Sequence, residues 1–228
     1  MTKRRKLVFL LACISAIGLV CILVHTPDPV YQGHRLSEWM GQMSQSDEAT
    51  NGVFHPSETD VRAAILALGT NNLPLLAHFI SFDSSKSVFI PVFHVMPLWF
   101  NRLSVFDYVG DWEERGNGRA YAATEAFKIL GPAGTPAIPQ LADILWHESL
   151  VPGANALRAL GYMGEPALPT ILIAANLTNC PTRYLAIRSF WAHTNNPDVY
   201  RFLTNALADP NPHVSSEAAD ALKGVELY

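Results

Sequence analysis

Apolar positions recur at helical spacing along most of this chain, and two stretches repeat the pattern most clearly. Ala120 to Trp146 reads AYAATEAFKILGPAGTPAIPQLADILW, and Gly153 to Asn176 reads GANALRALGYMGEPALPTILIAAN. Each predicts an alanine-rich helix ending at Leu-Gly, a Pro/Gly turn, and a second helix opening on an apolar-Pro pair. Leu130-Gly131 and Leu160-Gly161 lie 30 residues apart, as do Pro139 and Pro169. A fixed period with two helices per unit predicts an α-solenoid, in which each pair buries its apolar face against the next.

The pattern extends both ways. Upstream, Leu36, Trp39, Met40 and Met43 fall at i, i+3, i+4 and i+7, a short helix fit to cap the open end of the stack. Ser44 to His55 is polar and predicts a loop. Ser57 is the expected N-cap, with Asp60 at the capping-box position. Val61, Ala64, Ile65 and Leu68 form the stripe behind it, and Gly69 ends the helix. Asn71-Asn72-Leu73-Pro74 then turns the chain into Leu75–Ile80. Residues 81–119 break the pattern. They are rich in aromatics, Pro91 and Pro97 interrupt any long helix, and DWEERGNG at 111–118 reads as a charged, glycine-broken loop. This segment is a degenerate repeat or an insertion packed over the solenoid. Downstream, TRYLAIRSFWAH (182–193) predicts a first helix. Asn196-Pro197 is an N-cap with Pro at N1, opening Val199–Leu207. Asp209-Pro210-Asn211-Pro212 breaks the chain before a lone last helix, Val214–Leu222, expected as the polar-faced terminal cap.

The N-terminus is of another kind. Residues 3–6 are KRRK, and Leu7 to Val24 carry no charge. A basic segment before such a run predicts a signal anchor or a cleaved signal peptide. The one small-x-small site, Ala16-Ile17-Gly18, is followed by more apolar residues, which favours the anchor. The basic flank places the N-terminus in the cytoplasm and the body outside. The expected domains are 1–25, signal anchor; 26–56, a Pro-rich linker (His25 to Gly33) and capping helix; and 57–228, an all-α solenoid of four to five helix pairs with its irregular stretch at 81–119.

The units resemble HEAT repeats of the armadillo type, in their short form. The matching positions are Leu68-Gly69, Leu130-Gly131, Leu160-Gly161, Ile138-Pro139 and Leu168-Pro169. The layout also resembles bacterial signal-anchored HEAT-repeat proteins, where an anchor leads to a Y-x-G-x-x-L-S-E-W segment, here Tyr31 to Trp39. The resemblance implies protein binding and carries no catalytic residue. It implies a single-pass protein of the bacterial inner membrane with its body in the periplasm. Secretion after signal cleavage is the alternative.

Composition narrows the function. The leader holds four basic residues and no acid, leaving 12 basic against 20 acidic side chains, a net −8, in the rest. That body lacks the basic footprint of a nucleic-acid binder. Of three cysteines, Cys13 and Cys21 lie in the leader and Cys180 stands alone, so the body has no zinc spacing. No histidine has a His, Cys or carboxylate at i+3 or i+4 in a pattern typical of a metal helix. There is no G-x-S-x-G elbow, dinucleotide fingerprint or P-loop. No metal, cofactor or catalytic set is therefore expected, and the partner is another protein, with residues 7–24 engaging the membrane. Candidate binding residues are Trp112, which flanking acids mark for exposure, and Gln140, Asp143 and Arg201. Gln140, Thr170 and Arg201 share a slot in successive second helices; Asp143, Ile173 and Thr204 share the next. The rival readings are a HEAT-like lyase-type enzyme and a purely structural envelope protein.

Overall fold

The computed structural model describes residues 28–41, 43, 56–86, 105–147, 149–178 and 182–223, the side chains of 105–112, 191 and 192 excepted. The expected leader at 7–24, the loop at 44–55, and Pro91 and Pro97 lie outside the described residues. Those described are 81% helical, and their one sheet is a hairpin of two-residue strands, so the class is all-α.

That hairpin stands in the expected Pro-rich linker. Strands β1 (Val30–Tyr31) and β2 (His34–Arg35) pair antiparallel across Gln32 and Gly33. Both turn residues have positive φ, 49° and 82°, which is the two-residue turn that matches strand twist. The indole N–H of Trp39 donates to the Tyr31 carbonyl (3.1 Å), fastening the hairpin to helix α1, Leu36–Gly41. Leu36, Trp39 and Met40 are buried as their spacing predicts.

The next helices are α2 (Glu58–Leu68), α3 (Leu73–Ile80), α4 (Val105–Leu130), α5 (Ile138–His147) and α6 (Leu150–Met163). They are followed by α7 (Leu168–Asn176), α8 (Arg183–Arg188), α9 (Pro197–Ala206) and α10 (Pro212–Leu222). One layer is the row α2, α4, α6, α8 and α10, each packed on the next. A second layer contains α3, α5 and α7, likewise in sequence. Between the layers α3 packs on α4, α5 on α6, α7 on α8 and α9 on α10, while α1 covers α2 and α4. Phe127, Leu141, Leu160, Met163, Ile171, Ile187 and Phe190 are fully buried in the resulting core.

The capping box forms as read. The Ser57 side chain accepts from the Asp60 N–H, and the Asp60 carboxylate accepts from the Ser57 N–H. Asn196 and Asn211 cap α9 and α10. Residues 182–193 divide into α8 and a 3₁₀ turn, Ser189–His193.

Two expectations are corrected. Residues 111–118 are no loop, because α4 runs through them from Val105. A Cβ on Gly116 would overlap the ring of Phe82, so the glycine opens a notch that lets the ring lie on the helix backbone. That tertiary contact outweighs the poor helix propensity of two glycines and an asparagine. The second correction concerns Leu160-Gly161. The first copy does leave the α-helix after Leu130, at Gly131 (φ 52°). The second runs on through Gly161 to Met163 and ends at Gly164 (φ 74°). Pro132 accounts for the difference. It lacks the N–H to continue a helix and pushes the preceding residue out of the α region. Tyr162 occupies its slot in the second copy, so one more turn forms.

Among the described residues one stretch, Glu58–Ile80, is long and apolar enough to cross a membrane by length and composition. It is broken at Gly69 (φ 45°) into α2, a 3₁₀ turn and α3. Its apolar residues Val61, Ile65, Leu76 and Ile80 are buried in the core, while Glu58 and Arg62 face solvent.

Candidate interaction surface

The second helices α5, α7 and α9 are built alike. Pro169 and Pro197 sit in the first turns of α7 and α9, where no N–H is needed and φ is already helical. Pro139 occupies the same slot in α5. Each helix buries one stripe: Leu141 and Leu145 in α5, Ile171 and Ala174 in α7, Val199 and Leu203 in α9. The opposite positions face water. Gln140 and Asp143 on α5 and Arg201 on α9 are exposed, and Thr170 between them is half-exposed. The structure therefore places three of the four candidate residues on the outward side of second helices. Trp112 lies in α4, a helix of the other layer, and its side chain is outside the described residues.

The same register exposes apolar residues that the sequence reading did not single out. Trp146, Ile173 and Tyr200 are 44%, 51% and 57% exposed. The signal for Ile173 was available, since it shares the Asp143 slot; neither of the two slots marks Trp146 or Tyr200.

Charges on this side are paired locally. Asp143 Oδ1 lies 2.9 Å from His147 Nδ1 one turn on, a pair that i, i+4 spacing makes legible from the carboxylate side. Arg201 lies 3.1 Å from Asp198. His34 and Glu38 form a further i, i+4 pair at 3.2 Å. Two histidine–carboxylate pairs thus exist at helical spacing, yet neither gains a third ligand. Among the described residues no group of three or more His, Cys, Asp or Glu stands close enough to hold a metal.

Elsewhere the perturbed groups are structural. Arg183 bonds Asp209 (2.5 Å) and the Ala175 carbonyl (2.8 Å), tying the end of α7 to the turn before α10. The guanidinium and the Asn211 N–H hold the Asp209 carboxyl below the usual range. Arg188 grips Glu217 of α10 through two nitrogens (3.0 and 2.5 Å). On the first-helix layer Lys128 lies over the Tyr162 ring (5.7 Å), linking α4 and α6. Its neighbour Glu125 raises the Lys128 pKa, and burial raises that of Tyr162. Burial lowers the His193 pKa, against the opposing charge of Glu165. Buried Thr124 and Ser189 donate to backbone carbonyls of their own turns, so neither offers a free nucleophile. The arrangement can present side chains from successive helices.

Comparison with family models, with curated proteins and with solved structures finds no match to this chain.

Proposed function

We propose that this chain is a HEAT-type α-solenoid whose body is a non-catalytic protein-binding module. Residues 7–24 hold it at the bacterial inner membrane as a single-pass anchor, with the body in the periplasm. The observation that carries the reading is the outward side of the second helices. There the 30-residue period sets Gln140, Asp143, Ile173 and Arg201 in matching slots, all exposed. A stack of rigid helices spreads such side chains over a stiff surface, which suits recognition of another macromolecule. The anchor follows from KRRK before 18 uncharged residues.

Photo-cross-linking in intact cells tests the binding role. A photoreactive residue at 140, 143 or 201 is expected to capture one dominant envelope protein, and the same probe at Tyr121 on the other layer is expected to capture none. Capture of nothing at all three positions sinks the binding module and leaves a purely structural envelope protein. Reporter fusions at the C-terminus test the placement: a periplasm-active reporter should light up and a cytoplasm-active one should not.

A further inference from the structure

Single exposed apolar residues are ordinary on protein surfaces. Three of them, Trp146, Ile173 and Tyr200, lie on successive second helices. Helices α5 and α7 pack directly on each other; Trp146 on α5 and Ile173 on α7 stand in solvent, and Leu177 is exposed just past the end of α7. Tyr200 follows on α9. Aromatic enrichment with lysine depletion marks the centre of protein interfaces, and no lysine occurs between Lys128 and Lys223.

The charges decide what fits there. Asp143 on α5 and Glu165 in the turn before α7 are exposed, neither helix carries a lysine or arginine, and His147 of α5 lies against Asp143. Residues 129–222 hold seven acids against four arginines. Two of those arginines, Arg183 and Arg188, are turned to Asp209 and Glu217 between α8 and the α10 end. Arg201 is matched by Asp198. The body as a whole carries −8. A nucleic acid or an anionic lipid surface meets repulsion at such a face, and a second copy of this chain brings the same excess of acid to it. We infer that the α5–α7 face receives a cationic segment of another protein, whose apolar side chains cover Trp146, Ile173 and Leu177 while lysines or arginines meet Asp143 and Glu165. The inference rests on the protein-binding reading and adds the chemistry of the partner.

Three fluorescein-labelled helical peptides test it, sharing one leucine spacing and carrying lysine, serine or glutamate at the polar positions. Anisotropy is measured with the full-length chain in neutral detergent. The lysine peptide is expected to bind about tenfold tighter than the serine peptide, and the glutamate peptide not to bind. Trp146→Ser and Ile173→Ser each weaken the lysine peptide by about tenfold, as interface anchors do. Asp143→Lys weakens it similarly and flattens its salt dependence. Tyr121→Ser, on the other layer, leaves binding unchanged. Circular dichroism confirms that each variant keeps its helices. Equal binding of all three peptides, or lysine-peptide binding indifferent to Ile173→Ser and Asp143→Lys, overturns the inference. So does capture of phosphatidylglycerol vesicles that Ile173→Ser abolishes, which would assign the face to lipid. A photoreactive residue at 173 in cells separates the two levels. Capture of a protein without lysine preference sinks the cationic partner alone, and no capture with no peptide binding sinks the binding module as well.

Discussion

Glycine serves three separate purposes in this chain, and each makes a different prediction for the same substitution. Gly164 closes α6 at φ 74° and ψ −144°, a backbone region close to glycine-only that costs another residue about 1–3 kcal/mol. Gly161 lies within α6 and a Cβ there would meet nothing within 4 Å. Gly164→Ala should therefore destabilise by about 1–3 kcal/mol, whereas Gly161→Ala should stabilise by about 0.5–1 kcal/mol through helix propensity. Urea denaturation of the two variants reads both signs, and a reversal would mean that the helix ends at Leu160-Gly161, as the repeated Leu-Gly pattern suggests. Gly116 is the third case. Alanine there gains propensity but collides with the Phe82 ring, and overpacking costs about 1–3 kcal/mol. Gly116→Ala should be destabilising in the native background and stabilising once Phe82 is Ala. The sequence shows a glycine at all three positions. It does not show that Phe82, 34 positions upstream, sits against one of them, which is why residues 111–118 read as a loop.

Elements are the scale at which local chemistry was most readable. Caps and proline starts act within four residues, so Ser57 and Asn196 announce their helices without tertiary help. The outward slots of the second helices were legible for the same reason, because period and helical pitch together set which positions share a side. The ion pairs between elements were not legible, since Arg183 and Asp209 are 26 residues apart. Their side chains are 15% and 11% exposed, so this pair is screened less than a surface one. The folded pKa of Asp209 lies below its unfolded value of about 4, so the ionised carboxylate stabilises the fold above that pH. The contribution is lost as pH falls through the folded pKa. Arg183→Gln should then be less stable than the native chain by a constant margin above about pH 5, and the margin should narrow below about pH 4. Urea midpoints at pH 7 and pH 3 measure it. An unchanged margin would mean that Arg183 acts only through the Ala175 carbonyl.

At the scale of the whole molecule the two-layer ladder limits how far any disturbance travels. The main helix–helix contacts join helices no more than three apart in sequence, and those of α1 are with α2 and α4. Where stability is nearly a sum of nearest-neighbour terms, as in stacked repeats, it is lost piecewise instead of all at once. The fork of Arg188 on Glu217 fastens α8 to α10 at one end of the ladder. Removing a partly buried, charge-assisted bond of this kind costs about 1–2 kcal/mol. Arg188→Ala should raise amide hydrogen exchange in α8 and α10 by roughly tenfold, the equivalent of 1.4 kcal/mol. Exchange in α2, α3 and the C-terminal half of α4 should stay within about twofold of the native chain, because no contact carries the change that far. Uniform acceleration across all helices would instead show one cooperative unit, and the ladder would then transmit strain from end to end. That distinction bears on the proposed surface. If the ladder is locally coupled, a partner on α5 and α7 stabilises those helices and their immediate neighbours while leaving α10 to fray as before.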